Sequence, residues 1–158
     1  MDIEESTAGF VALRATETGF DLLLVLKRKH SLYGYPKGHR EGEETVLQAA
    51  IRELREESGC VPEWFLTEAG WRRSSAGALE VPQLVREYVR SSTQRLCRKS
   101  TRLFVALVRE VEPLHDHGEI ERTEWFPLTP ASAQVFQRAN ERQHYEQAIL
   151  SLQLPALV

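Results

Sequence analysis

A mixed β-sheet with helices packed against it, an α/β chain of the α+β sandwich kind, is the fold class that this sequence predicts. Three observations point there. The apolar runs "AGFVALRA", "FDLLLVLKRK" and "TRLFVALVREV" read as strands. Residues 45–58 carry apolar side chains at three- and four-residue spacing, the period of an amphipathic helix. A second helical pattern, "NERQHYEQAILSLQL", closes the sequence. Strands and helices in that order suit layers of helix on sheet. At 158 residues the chain is long enough for one cored domain and short for two, so 1–158 is read as a single domain.

Each element has its local reason. Residues 8–15 and 20–29 flank "TETG", which predicts an antiparallel hairpin with a tight turn. "HSLYGYPKGH" follows as a loop punctuated by Gly34, Pro36 and Gly38. The helix begins at Glu44 or Thr45 and runs to about Ser58. Val46, Leu47, Ala50, Ile51 and Leu54 share one sector that can dock on a sheet. Gly59 stands where a C-terminal glycine cap belongs. Residues 64–99 read as a basic, insertion-like segment, in which 81–91 predict a short helix with Pro82 near its start. Residues 101–111 form a strand, "HDHGEIER" a loop and "TEWFPL" another strand. Thr129 and Pro130 open a further helical stretch as cap and first residue.

Composition excludes several classes. The net charge is only -3, so no global field selects nucleic acid or a membrane. No apolar run approaches the roughly 18 residues of a bilayer span. "MDIEESTAGF" lacks the charged-then-apolar layout of a signal peptide. Cys60 and Cys97 have no metal-site spacing and read as free buried thiols, which places the chain in a reducing, cytoplasmic setting.

The helix over 45–58 carries more than a packing pattern. Glu53, Glu56 and Glu57 stand at i, i+3 and i+4 and share one sector. Three glutamates at this spacing are read either as a solvated face or as hard oxygen ligands for a divalent cation, which would relieve their repulsion. Arg52 pairs with Glu56, pairs with an acid on a neighbouring strand, or orients Glu53.

A longer pattern separates these readings. Gly38, Glu44 and the run "RELREESG" (52–59) match the Nudix box, G-x5-E-x7-R-E-U-x-E-E-x-G-U, at every fixed position, with Cys60 in place of the final bulky aliphatic. Background frequencies put a chance match at about 10⁻⁷ over this chain. The sequence therefore resembles the Nudix hydrolases. That resemblance implies a mixed sheet between helices with a loop-helix-loop catalytic motif, and cleavage of a pyrophosphate bond with magnesium, or manganese, as cofactor. It implies Glu53, Glu56, Glu57 and the Gly38 carbonyl as metal ligands, Glu53 as one candidate base, and Glu44, Arg52 and Gly59 as supports of the box. A carboxylate beyond the box is the other candidate base. In the diadenosine tetraphosphate hydrolase branch a glutamate precedes a tryptophan by six residues, which selects Glu119 before Trp125, also as a metal ligand, with Glu121 and Glu124 as competitors. His115 and His117 read as a transition-metal pair or as loop residues.

The same branch is suggested by "PKGH" (36–39), where other branches tend to have "PGGG" or "PQGG". Lys37, His39 and Lys99 are then substrate contacts on phosphates. The position where that branch stacks an adenine on tyrosine is Leu103 here, so Phe104, Tyr88, Tyr33 and Tyr35 are the substitutes, Phe104 first. Residues 71–99 hold seven basic side chains against two acidic ones, a surface for a long polyphosphate or an RNA 5′ end, or a solvated segment. The expected activity is hydrolysis of dinucleoside polyphosphates, with nucleotide polyphosphate as partner. RNA 5′-pyrophosphate removal and a non-catalytic nucleotide- or RNA-binding module are the alternatives.

Overall fold

The computed structural model describes residues 3–112 and 118–157. His115 and His117 lie outside them. Nine strands form one mixed sheet: β1 (Ile3–Ala15), β2 (Phe20–Lys27), β3 (Leu32–Gly34), β4 (Lys37–His39), β5 (Cys60–Thr67), β6 (Gly70–Arg72), β7 (Leu84–Arg90), β8 (Arg95–Glu110) and β9 (Ile120–Pro127). β1 and β8 run parallel at its centre, in register from Ile3↔Cys97 to Leu13↔Leu107. Each is long enough to serve two neighbours on its outer edge. β4 and then β2 pair with β1, and β7 and then β5 pair with β8. β9 pairs with β2, so the strand carrying Trp125 closes the side away from β8.

Side chains alternate across this sheet and build two cores. On one face Ala8, Phe10, Leu23, Phe104 and Ala106 pack under helix α1 (Val46–Ser58), through Ala49, Ala50 and Leu54. On the other face Val11, Leu13, Leu22, Leu103 and Val105 pack against Phe136, Tyr145 and Ile149. The apolar sector read from the sequence is the docked face of α1, and truncating Leu54, which has no exposed surface, would cost about 2–5 kcal/mol. Cys60 and Cys97 are both buried free thiols, as expected.

The termini of α1 are defined locally. Thr45 Oγ1 accepts from Gln48 N at 3.1 Å and Gln48 Oε1 accepts from Thr45 N at 2.9 Å, a reciprocal capping box. Gly59 takes φ 74° and donates its N–H to the Arg55 carbonyl, closing the helix in a conformation that costs a β-carbon dearly. Thr45→Ala is expected to lower unfolding stability by about 1 kcal/mol, read by urea denaturation.

Several expectations need correction. Residues 81–91 form no helix. Val81, Leu84, Val85, Tyr88 and Val89 recur at helical spacing, but strand pairing overrides it and β7 zips onto the first half of β8. For the same reason the strand expected at 101–111 begins at Arg95, and β1 begins at Ile3, paired with Cys97. The 31–39 loop contains the short strands β3 and β4. After Thr129, which makes no capping bond, Pro130–Val135 is a 3-10 turn. The closing helix is α2 (Ala139–His144), which widens into a single π-type turn, Tyr145–Ile149. Tyr145 is fully buried there, its hydroxyl donating to the Thr129 carbonyl at 2.8 Å. Among the described residues no helix is long and apolar enough to cross a membrane.

Candidate active site

The box lies where α1 meets β4. Gly38 faces the Glu53 carboxylate so closely that a β-carbon at Gly38 would overlap it, so glycine is required for the approach. β4 itself is held by pairing of Thr7, Ala8 and Gly9 with His39, Gly38 and Lys37.

Arg52 is the hub of the box. Its guanidinium grips Glu44 with two bonds, Nε to Oε2 at 2.8 Å and Nη2 to Oε1 at 3.1 Å. Nη1 reaches Glu53 at 3.0 Å and Glu56 at 3.1 Å, and Nη2 donates to the His39 carbonyl at 2.8 Å. Two of the three roles read for Arg52 thus coexist: it pairs with Glu56 and orients Glu53. The further acid is Glu44 of the loop, not a strand residue. Hydrogen bonds from Arg52 hold the Glu44 carboxyl below its ordinary range.

Glu57 is the most enclosed of the glutamates, 4% exposed. Oε2 accepts from Lys27 Nζ at 2.8 Å and Oε1 accepts from the Lys37 backbone N–H at 3.1 Å. Lys27 was not among the residues selected from the sequence. It ends a strand and belongs to no motif; only the register of β2 against α1 brings it to Glu57.

Glu53 shows the electrostatic cost of the arrangement. Burial first, and the neighbouring Glu57 charge next, push its carboxyl above the ordinary range despite the Arg52 hydrogen bond. The three carboxylates do not converge on one point, and among the described residues no group of three or more acidic, histidine or cysteine side chains is arranged around a common centre. Arg52 binds Glu53 and Glu56, and Lys27 binds Glu57. The donor set nevertheless fits a hard divalent cation: crowded carboxylates on one helix edge, and a glycine whose missing β-carbon makes room for one of them.

On the opposite face of the sheet the charge reverses. Lys37 and Lys99 line a small cavity of about 30 Å³ with Leu84, Arg86, Thr101, Arg138, Asn140 and Glu141. Burial, then the charges of Lys99 and Lys27, lower the Lys37 ammonium to about 7. Lys99 is lowered chiefly by burial. The backbone of β4 therefore separates an acidic edge from a cationic one, with Lys37 on one side of the chain and Gly38 on the other. A larger open groove of about 340 Å³ beside β4 is lined by His39, Arg40 and Arg102, and the box glutamates do not border it.

The other residues selected from the sequence fall as follows. His39 is exposed, its imidazole 3.9 Å from Glu5, and its carbonyl rather than its ring engages the box. Glu119 is exposed, with its carbonyl accepting from Arg28 N at 2.9 Å. The β2–β9 register passes from Leu26↔Arg122 to Lys27↔Ile120, so Glu121 is the extra residue of a bulge. Glu119 and Glu121 both flank the residue paired with Lys27. Glu124 accepts from Tyr33 Oη at 3.0 Å.

Of the rings selected from the sequence, Phe104 and Tyr35 are closed to solvent, and Tyr33 and Tyr88 stay partly exposed. Phe104 is 6% exposed, packed on Phe10 at 6.0 Å between centroids, because its position in β8 points into the α1 core. Leu103 and Tyr35 are fully buried in the other core. Tyr33 packs edge-on against Phe126, and Tyr88 carries the Arg86 guanidinium at 4.6 Å.

Strand alternation sorts the basic stretch 71–99. Arg86, Tyr88 and Arg90 of β7 lie opposite Lys99, Cys97 and Arg95 of β8 on one face, while Glu87 and Arg98 are paired on the other. Arg90 donates to Glu5 at 2.8 Å and Arg73 stacks over Trp64 at 4.3 Å.

Known proteins share this fold. An Ap4A hydrolase of C. elegans in a binary complex is 21% identical over 90% of this chain and 93% of its own, with TM-score 0.66. A MutT protein of Methanosarcina mazei Go1 is 17% identical over 92% of this chain and 93% of its own, at 0.62. The NUDIX domain of Shewanella oneidensis NrtR, complexed with ADP ribose, is 17% identical over 93% of this chain and 87% of its own, at 0.60. At these identities the likeness is one of fold. No curated protein sequence matches the chain. The family model described as NUDIX domain matches residues 5–148, which include the box, the sheet and α2, and the chain belongs to that family.

Proposed function

We propose that this Nudix hydrolase cleaves dinucleoside polyphosphates, diadenosine tetraphosphate first among them, to a nucleoside triphosphate and a monophosphate. Enzymes of the family generally use divalent metals such as magnesium. The observation that carries the reading is the opposition across β4: the box carboxylates on one side, Lys37 and Lys99 on the other. A long polyphosphate needs both, a metal platform at the bond that breaks and fixed cations along the rest of its charge. The C. elegans protein of the same fold is an Ap4A hydrolase, which agrees with this choice.

In this reading Glu53, Glu56, Glu57 and the Gly38 carbonyl hold the cation. Magnesium, or manganese, supplies charge neutralisation along the polyphosphate and acidifies the attacking water. Arg52 keeps Glu53 and Glu56 on the reacting side of the helix. A carboxylate takes the proton of the water as it attacks phosphorus and the bridging oxygen leaves. Glu53 is the box candidate for that role, and Glu119 is the loop candidate. Glu119→Gln is expected to slow turnover about 10²-fold with little change in thermal midpoint, because the side chain is exposed. If Glu121→Gln is the damaging change instead, the bulge residue holds that role.

The basic face of β7 and β8, with Tyr88 among its arginines, favours a second reading, removal of pyrophosphate from a 5′-triphosphorylated RNA. Both are tested by one panel with magnesium: diadenosine tetraphosphate, nucleoside triphosphates, nucleoside diphosphate sugars, an inositol pyrophosphate and triphosphorylated RNA. Highest kcat/KM on diadenosine tetraphosphate supports the first reading. Highest on RNA replaces it with the second. Turnover of none assigns the chain a nucleotide- or RNA-binding role.

A further inference from the structure

Arg86 and Lys99 stand directly opposite each other across the β7–β8 pair, on the face away from α1. Like charges at such positions repel, and both side chains are only partly exposed, so solvent screens them incompletely. Lys37 enters the same cavity from β4 and Arg138 from the segment before α2. Four basic side chains thus border a cavity of about 30 Å³. Thr101, whose hydroxyl is bonded to that of Thr7 at 2.8 Å, also lines it.

One anion faces them. Glu141 is 7% exposed and, among the described residues, is the only carboxylate that lines this cavity. Its nearest ionic contact is long, Arg138 Nη1 at 3.9 Å. A buried carboxylate with so loose a pairing is poorly compensated by its neighbours. It is held in place by its element: Asn140 Nδ2 donates to the Val85 carbonyl at 3.0 Å and fastens α2 to β7. The set is therefore assembled from four parts of the fold, β4, β7, β8 and the α2 segment, and its basic side chains outnumber the carboxylate.

We propose that Arg86, Arg138, Lys37 and Lys99 form a subsite for a phosphate group of the substrate remote from the box, and that Glu141 occupies its place until substrate arrives. The inference deepens the proposed polyphosphate reading by adding Arg86, Arg138 and Glu141, which no box motif selects. A phosphate entering this cavity takes the place of the Glu141 carboxylate among the four basic side chains. The gain is replacement of one loosely paired carboxylate by a group of higher charge with several acceptor oxygens, which two guanidinium forks can hold. β4 separates this cleft from the box by one strand, so a substrate engaging both must carry phosphates beyond the bond that is cleaved. A dinucleoside polyphosphate and a triphosphorylated RNA end share that chemistry.

The test is binding of inorganic tripolyphosphate to the full chain in EDTA, by calorimetry, which involves neither the metal nor turnover. Arg86→Gln and Arg138→Gln are each expected to weaken binding about 10-fold, and Glu141→Gln to strengthen it by a similar factor, with unchanged far-ultraviolet circular dichroism. Arg109→Gln, on an exposed side chain whose partner is Glu63 at 3.5 Å, is the control and is expected to bind as the parent does. The subsite is overturned if Arg86→Gln and Arg138→Gln bind like the Arg109 variant. The role of Glu141 is overturned if Glu141→Gln binds no tighter than the parent, or unfolds while the Arg86 and Arg138 variants bind like the parent. Raised KM for diadenosine tetraphosphate but not for triphosphorylated RNA in the arginine variants identifies the source of the phosphate as the dinucleotide; the reverse identifies RNA. Tripolyphosphate binding that depends on the two arginines, in a chain that turns over nothing, sustains the subsite while removing the hydrolase reading.

Discussion

Glu57→Gln is expected to reduce kcat by about 10²–10³-fold and to lower unfolding stability as well. The two effects have different origins. Glu57 is a proposed metal ligand, and an amide offers a neutral oxygen where a carboxylate carries charge. Glu57 is also a structural acceptor for Lys27 and for the Lys37 backbone N–H. The amide can satisfy one of these with its oxygen and must turn its NH₂ toward the other. Lys27 keeps partial access to water, so the stability loss is set at about 1–2 kcal/mol rather than that of a fully buried unpaired charge. Calorimetric titration with manganese separates the two contributions. A weakened affinity for the ion at a temperature where the variant is fully folded supports the ligand role. A parental rate in the folded variant would overturn the metal-platform assignment.

Arg52→Met carries the second large effect. The methionine keeps much of the aliphatic stem and removes every donor to Glu44, Glu53, Glu56 and the His39 carbonyl. Three carboxylates then face one another without their cation, and the 39–44 loop loses its tie to α1. The side chain is about one-fifth exposed, so the expected loss is about 2 kcal/mol, less than for a sealed pair. Turnover is expected to fall about 10²-fold, since a glutamate displaced by an ångström no longer meets its task. Arg52→Lys is the informative companion. A lysine restores one charge and cannot form the two-pronged grip on Glu44, so it is expected to recover stability more than rate. Equal recovery of both would reduce Arg52 to a charge balance.

The box was legible because its chemistry depends on spacing along one helix, and helical geometry converts spacing into a shared edge. Glu53, Glu56 and Glu57 needed no tertiary information to be grouped, nor did Gly59 as the C-terminal end of α1, while the start was read only as Glu44 or Thr45 and the structure places the cap at Thr45. The segment 81–91 was misread because Pro82 is as acceptable before a strand as at the start of a helix, and Val81, Leu84, Val85, Tyr88 and Val89 recur at three- and four-residue spacing. Its partner, the first half of β8, lies in the same difficult stretch, so neither strand could identify the other. Phe104 was chosen for its aromatic ring, and the direction in which that ring points depends on which face of β8 meets α1.

The sequence alone therefore determined the family and the grouping of Glu53, Glu56 and Glu57 on one helix edge beside Arg52, properties of one contiguous stretch read at helical period. Tertiary structure alone decided that Lys27 meets Glu57, that Phe104 is sealed in the core, and that Arg86, Lys99, Lys37, Arg138 and Glu141 share one cavity. Those contacts join strands and a helix far apart in the chain. They depend on sheet order and register, and no local pattern of residues encodes which strand will lie beside which.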